Sequence, residues 1–397
     1  MVCALKHEML KLILFSLISV SFISISAHAS RNLCSAILNA STANEVLAPE
    51  SSAEKFGYDD KHAWGPQIYF HEFTKLQKNF TDLQHLPWPE LQAQLSAMDM
   101  RKIFFHIRVL SETYRGLDPK FFKKQIPVFK NIEYLLGRVD LYKSIQELLV
   151  PFNEPQLEAY FIKLGEDSSR DLQQGLKDFG ALKNPGEGLA QLEKKFRSYD
   201  NWLSQKKDRK YLLNEMIDFA KSLNKEVNKN AFDSDQLEQG LHKMRRSLRE
   251  LLFRMVNLQH LSQVVDEGQL PMKLNDWYVE LEKNNPNILK SPYMPESIPE
   301  VEDAIILPKK IAAILTEIVT LIGVQKDQDE PLMYLEQAAK EIPDLDQQSR
   351  LRILDKIANM SVGIENQRQV VDSFQERIRK SQVLEYFIQF LENKNKK

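Results

Sequence analysis

The stretch LHKMRRSLRELLFRM, Leu241 to Met255, places five Lys and Arg and one His in fifteen positions. At about 100° per residue, Leu241, Met244, Leu248, Leu251, Leu252 and Met255 fall into one apolar stripe. His242, Arg245, Arg246 and Arg249 fall into a second stripe, roughly 100° further around. This spacing defines an amphipathic helix with a buried face and a row of cations along its shoulder. Working outward, a second helix of the same design occurs in MDMRKIFFHIRVLSETYRG, residues 98–116. There Ile103, Ile107, Leu110 and Tyr114 make the apolar stripe, and Arg101, Arg108 and Arg115 follow at heptad spacing on the same shoulder.

Each basic helix is followed by an apolar helical run that reaches a glycine. FKNIEYLLGRVD (129–140) resembles LTEIVTLIGVQKD (315–327), with Gly137 and Gly323 in matching places. Because glycine takes φ > 0 cheaply, both are expected as helix C-caps or tight turns. The first arginine precedes its glycine by 36 residues in one copy and by 78 in the other. The proline-rich passage NNPNILKSPYMPESIPEVEDAIILPKK (284–310) reads as a surface loop or insertion that takes up the surplus. Helical periodicity elsewhere predicts helices near 67–82, 89–116, 119–146, 154–180, 187–205 and 207–228. Further helices follow near 234–266, 273–285, 309–323, 329–341, 346–378 and 380–394, and strand-like alternation is hard to find.

The N-terminus carries a different signal. MLKLILFSLISVSFISISAHAS, from Met9, has Lys11, a long apolar run and an Ala27-His28-Ala29 site, as a secretory signal peptide does. Cleavage after Ala29 and a translation start at Met9 are expected; a retained membrane anchor is the alternative. Residues 30–65 read as a poorly ordered lead-in. Removal of residues 1–29 leaves 51 Lys and Arg against 54 Asp and Glu, a net charge of −3. A nucleic-acid-binding chain is therefore not expected. Cys34 is then the one remaining cysteine, so no intrachain disulfide can form and the fold rests on apolar burial.

Charge is nonetheless concentrated locally. Residues 97–144 hold ten Lys and Arg against five Asp and Glu, with Lys123, Lys124 and Lys130 among them. Arginine resists desolvation but grips phosphate well, because its planar fork gives paired charge-assisted hydrogen bonds. Two basic helices in an acidic chain make a focused positive site if they face each other. The competing reading is that the arginines snorkel along the apolar stripe and pair with nearby carboxylates.

Signals for catalysis are missing. HEFTK begins like a zinc-protease helix at His71 and Glu72, but Lys75 stands where the second histidine is needed. NPGEGLA (184–190) lacks the Lys-Ser/Thr of a phosphate-cradling loop, and no serine nucleophile elbow occurs. No enzyme activity, metal or cofactor is expected.

His242-x-x-Arg245-x-x-x-Arg249, followed later by a Leu-x-Gly turn with Asp, resembles the CHAD family of histidine-containing α-helical domains. The resemblance implies two helical-bundle repeats around a central basic groove that binds inorganic polyphosphate. It is best at His242, Arg245 and Arg249; in the first copy Arg101 and Arg108 match, while Met98 stands where the histidine falls. CHAD members are usually far more basic than this chain.

The expected protein is thus all-α, with duplicated antiparallel four-helix bundle units at 66–205 and 206–397, a pseudo-two-fold relation and the insertion in the second. It is expected in the periplasm or secreted, with no transmembrane anchor after cleavage. Arg101, Arg108, Arg115, His242, Arg245, Arg246 and Arg249, with Lys123, Lys124 and Lys130 outside them, would clamp polyphosphate or another anionic envelope polymer. The alternative is a structural adaptor that docks an envelope protein, its arginines paired internally.

Overall fold

The computed structural model describes residues 64–182, 185–233, 238–258, 261–295, 304–360 and 364–396. The expected signal peptide, Met9, Cys34 and the lead-in before Trp64 lie outside the described residues. Among the described residues there are thirteen α-helices and one pair of short strands, so the chain is all-α. No described helix is long and apolar enough to cross a membrane.

Helix α1 (Trp64–Leu83) takes in the last two residues of the expected lead-in. Its N-terminus is fixed from the interior: Gly65 N donates to Asp208 Oδ2 at 2.6 Å, and Trp64 is buried. Then come α2 (Trp88–Ala97) and α3 (Met100–Tyr114), where one helix over 89–116 was expected. The break is Asp99, which adopts the left-handed conformation at φ 49° and turns the chain between them. Helix α4 (Pro119–Leu149) begins with Asp118 accepting from the backbone N–H groups of Lys120 and Phe121, with Pro119 in the first turn, where its missing N–H costs nothing. Helices α5 (Pro155–Asp178), α6 (Pro185–Arg197) and α7 (Gln205–Asn228) follow.

The predicted helix over 234–266 is only partly helical. A five-residue π-turn, Glu238–His242, leads into α8 (Lys243–Val256), and Ser262–Val265 is a strand, β1. After α9 (Met272–Asn284) and a 3₁₀ turn at Ile288–Lys290, strand β2 (Ile305–Pro308) pairs parallel with β1, Ser262 opposite Ile305. The proline-rich passage thus contributes structure as well as loop. SQVV and IILP are too short for alternation to show, and β-branched residues in them carry the only local signal. The two helices expected at 309–341 are one, α10 (Lys309–Glu341), with Pro331 inside it, much as Pro127 lies inside α4. Helices α11 (Gln347–Met360), α12 (Ile364–Ser381) and α13 (Val383–Lys394) complete the chain.

Two cores hold these helices. The larger runs from Trp64 to Leu391 and includes an aromatic cluster in which Tyr69 lies 4.6 Å from Phe196 and 5.8 Å from Trp202, ring centre to ring centre. The smaller is built from the C-terminal parts of α4 and α10 with α5 and α11: Tyr142, Ile145, Phe161, Leu335, Ala339 and Ile353 are among its members. Both draw on residues either side of position 205, so apolar packing crosses the boundary expected between two units. Helix α3 packs on α4 and α8 on α10, while α3 meets α8 and α4 meets α10. That cross-packing brings the two arginine helices together.

Candidate anion site between the arginine helices

The two arginines that lead the basic stripes each rest on a glycine of the following long helix. A Cβ at position 137 would lie 2.7 Å from Arg101 Cζ, and one at 323 would lie 2.9 Å from Arg245 Nη2. Gly137 and Gly323 are therefore neither C-caps nor turns, as their spacing had suggested. They sit inside α4 and α10, and it is the missing side chain, rather than the backbone freedom, that matters: it leaves a notch in which a guanidinium lies flat.

Across the α3–α8 contact, Phe105 and Phe253 pack with ring centres 4.5 Å apart and planes tilted by 54°. Both Arg108 and Arg249 lie over the Phe105 ring, at 4.5 and 4.2 Å from its centre. Between them comes Glu133 of α4. Its Oε2 accepts from Arg108 Nε at 2.8 Å, while its Oε1 stands 3.7 Å from Arg249, an ion pair without a hydrogen bond. Arg108 also donates to Glu112 at 2.6 Å. Burial works against the charge on Arg108, but Glu133 and Glu112 more than offset it and hold its pKa above the ordinary value.

Arg249 is in the opposite position. Burial pulls its pKa down to about 10, and Arg245 and Arg101 push the same way, while Tyr293 and Glu133 oppose. The Nε atoms of Arg245 and Arg249 are buried and donate to no described group. Among the described residues Arg101 and Arg245 form no carboxylate ion pair within 4 Å, although Arg101 acts on the nearby Asp99. Arg101 and Arg245, from segments 144 residues apart, thus both act on Arg249, whose nearest carboxylate is the half-committed Glu133.

The other expected residues divide. Arg108 belongs to the cluster but is neutralised there by two glutamates, as the internally paired reading expects. His242 is buried at the end of the π-turn, three residues ahead of Arg245. Arg246 is exposed. Arg115 is exposed at the C-cap of α3, about 20 Å along the helix from Arg101. It feels Glu215 instead. Lys123, Lys124 and Lys130 are exposed on α4; the first two lie about 20 Å and the third about 10 Å along the helix from Gly137. A groove lined by six arginines is therefore not what these side chains make. The structure collects Arg101, Arg245 and Arg249, with Arg108 and Glu133 at the edge.

Three contributors escape the sequence reading. Glu133 lies one helical turn before Gly137 and so on the same face, a signal that was available. Tyr293, delivered by the insertion, packs edge-on against Phe253 at 5.6 Å. Arg254, at the end of the opening stretch, bonds Thr113 Oγ1 at 2.9 Å and Glu250 at 3.0 Å and lies over Phe219, and so ties α8 to α3 and α7. At HEFTK, Lys75 pairs with buried Glu72 at 3.2 Å, and His106 Nδ1 stands 3.8 Å away. Among the described residues no group of His, Cys, Asp and Glu is arranged to hold a metal ion. An open cavity of about 650 Å³ near the end of α7 is lined by Asp233, Asp372, Glu376 and a single Arg379, the wrong sign for an anion.

These features define a helical bundle with an arginine cluster at an interhelical junction. Searched against protein-family models, curated proteins and solved structures, the chain matches none.

Proposed function

We propose that this chain is an exported helical binding protein of the cell envelope that holds a polyanion, either polyphosphate or a phosphorylated envelope polymer, at the α3–α8 junction. The observation that carries this reading is the gathering of Arg101, Arg245 and Arg249 with less carboxylate than they need. Like charges are brought together in a fold only when other contacts compensate, and an anion would relieve the repulsion. Duplication of a helical unit, as in the CHAD family, accords with the Arg101–Gly137 and Arg245–Gly323 notches. The net charge of −3 expected after signal cleavage limits non-specific adhesion and leaves the cluster as the point of attraction. The second reading, an adaptor that docks an envelope protein, is favoured by Arg108, whose charge Glu112 and Glu133 satisfy internally.

A pull-down of the purified mature chain with immobilised polyphosphate, lipopolysaccharide and heparin, at 50 and 200 mM salt, separates these readings. Polyphosphate capture is expected to weaken roughly twenty- to fortyfold at the higher salt, as only about three cations take part, rather than by the thousandfold typical of long basic tracts. Retention of none of the three polymers at the lower salt would leave the adaptor reading.

A further inference from the structure

We infer that the site selects a phosphate group that still carries a proton, whether free phosphate or the end of a chain, over a fully ionised oxyanion such as sulfate, and that Glu133 makes the selection. The inference rests on the anion-binding reading above and names the ligand class of the same site. Glu133 is buried, and its Oε2 is committed to Arg108 Nε at 2.8 Å. Its Oε1 faces Arg249 at 3.7 Å, beyond hydrogen-bond length, and no described donor bonds it. That oxygen is an acceptor waiting at the edge of a cationic cluster. An anion that reaches Arg249 must come within a few ångströms of it.

A sulfate, or an interior group of a long polyphosphate, brings only acceptors and is repelled by the carboxylate. A chain-end phosphate carries a P–OH up to its last ionisation near neutral pH, and free phosphate keeps one well above that; the P–OH donates to Oε1 while the other oxygens accept from the guanidiniums. The selection therefore has an attractive and a repulsive part. Among the described residues the matching place on the second long helix carries no such carboxylate. Four residues before Gly323, where Glu133 stands relative to Gly137, the second long helix has buried Val319. The available cations are few as well. Arg108 is taken, and Arg115 is about 20 Å along α3 from Arg101, so one compact group fits the cluster better than a run of phosphates.

The test is titration calorimetry of the mature chain with inorganic phosphate, sulfate and tripolyphosphate at pH 6.0 and 8.0, repeated with Glu133→Gln. The wild type is expected to prefer phosphate to sulfate at least tenfold at pH 6.0, and to keep a preference at pH 8.0, where HPO4²⁻ still carries one P–OH for Glu133 Oε1. In Glu133→Gln, which keeps an acceptor for Arg108 but no charge, sulfate affinity should rise about tenfold and the preference should fall to within threefold. Equal wild-type binding of phosphate and sulfate at pH 6.0, or an undiminished preference in Glu133→Gln, would overturn the role of Glu133 while leaving anion binding in place. Absence of binding by phosphate, sulfate and tripolyphosphate alike would overturn the underlying reading as well. The wild-type comparison stands on its own if the variant does not fold.

Discussion

Replacing Arg245 and Arg249 together by alanine is expected to weaken tripolyphosphate binding by about a hundredfold or more. Charge-assisted hydrogen bonds contribute about 1.5–3 kcal/mol each, and each 1.4 kcal/mol is a factor of ten in affinity. The two side chains supply two of the three guanidiniums that lack a full carboxylate partner. The thermal midpoint is expected to move by only a few degrees. Loss of the contact between Arg249 and Phe105, worth roughly 0.5–2 kcal/mol, is set against relief of the repulsion among Arg249, Arg245 and Arg101. Calorimetric titration with parallel thermal melts checks both halves. The informative control is Arg108→Ala: it strips a partner from buried Glu133 and half-buried Glu112, so it should lower stability more than the double variant and affinity less. Unchanged affinity in the double variant would remove the junction as an anion site.

A second large effect is expected from Asp208. This carboxylate is fully buried in the first turn of α7, where it accepts from Gly65 N and from Tyr114 Oη at 2.9 Å. Burial lifts its pKa to about 6, although these hydrogen bonds act in the opposite direction. A carboxyl raised above its unfolded value of about 4 binds its proton more tightly in the folded chain. Its stabilising contribution is full below pH 4 and is lost as pH rises through 6. Between pH 7.5 and 5 the folded state should thus gain roughly 1–2 kcal/mol from this group. His106 acts in the opposite sense. Its burial lowers its pKa, so its contribution is lost as pH falls through the histidine range. Glu72 is held well below the usual carboxylate range: burial would raise it, but His106 and Lys75 outweigh that, so its effect begins only below about pH 4.5. Denaturant unfolding of wild type and Asp208→Asn at both pH values isolates the Asp208 contribution. The difference should shift by roughly 1–2 kcal/mol in favour of the wild type at pH 5, and a pH-independent difference would refute the assignment.

Most of the helices could be read from sequence because apolar spacing reports a buried face directly. The exceptions have local physical causes. Nothing in MDMRK marks Asp99 as left-handed until the helices on either side are packed. Gly323, read as a C-cap or turn, suggested a break between 323 and 329, yet α10 runs on across it and past Pro331. The strand pair depends on two four-residue segments about forty residues apart, beyond the reach of periodicity. At the site, the sequence marked a glycine downstream of each leading arginine but gave it a backbone role and no contact with the arginine. Periodicity cannot tell a residue chosen for its φ angle from one chosen for the space above it. Helical projection also could not distinguish Arg108 from Arg101, since only the fold decides which of the two Glu133 reaches.

The smaller core has a bearing on how the molecule breathes. Residues 142–161 and 332–357 bury their apolar faces mainly on one another, and Gly137 and Gly323 lie upstream of them on α4 and α10. Amide protons in this distal lobe should therefore exchange as one cooperative block at a lower opening free energy than those around Tyr69 and Phe196. Opening of that block would leave both glycine notches, and the guanidiniums seated in them, undisturbed.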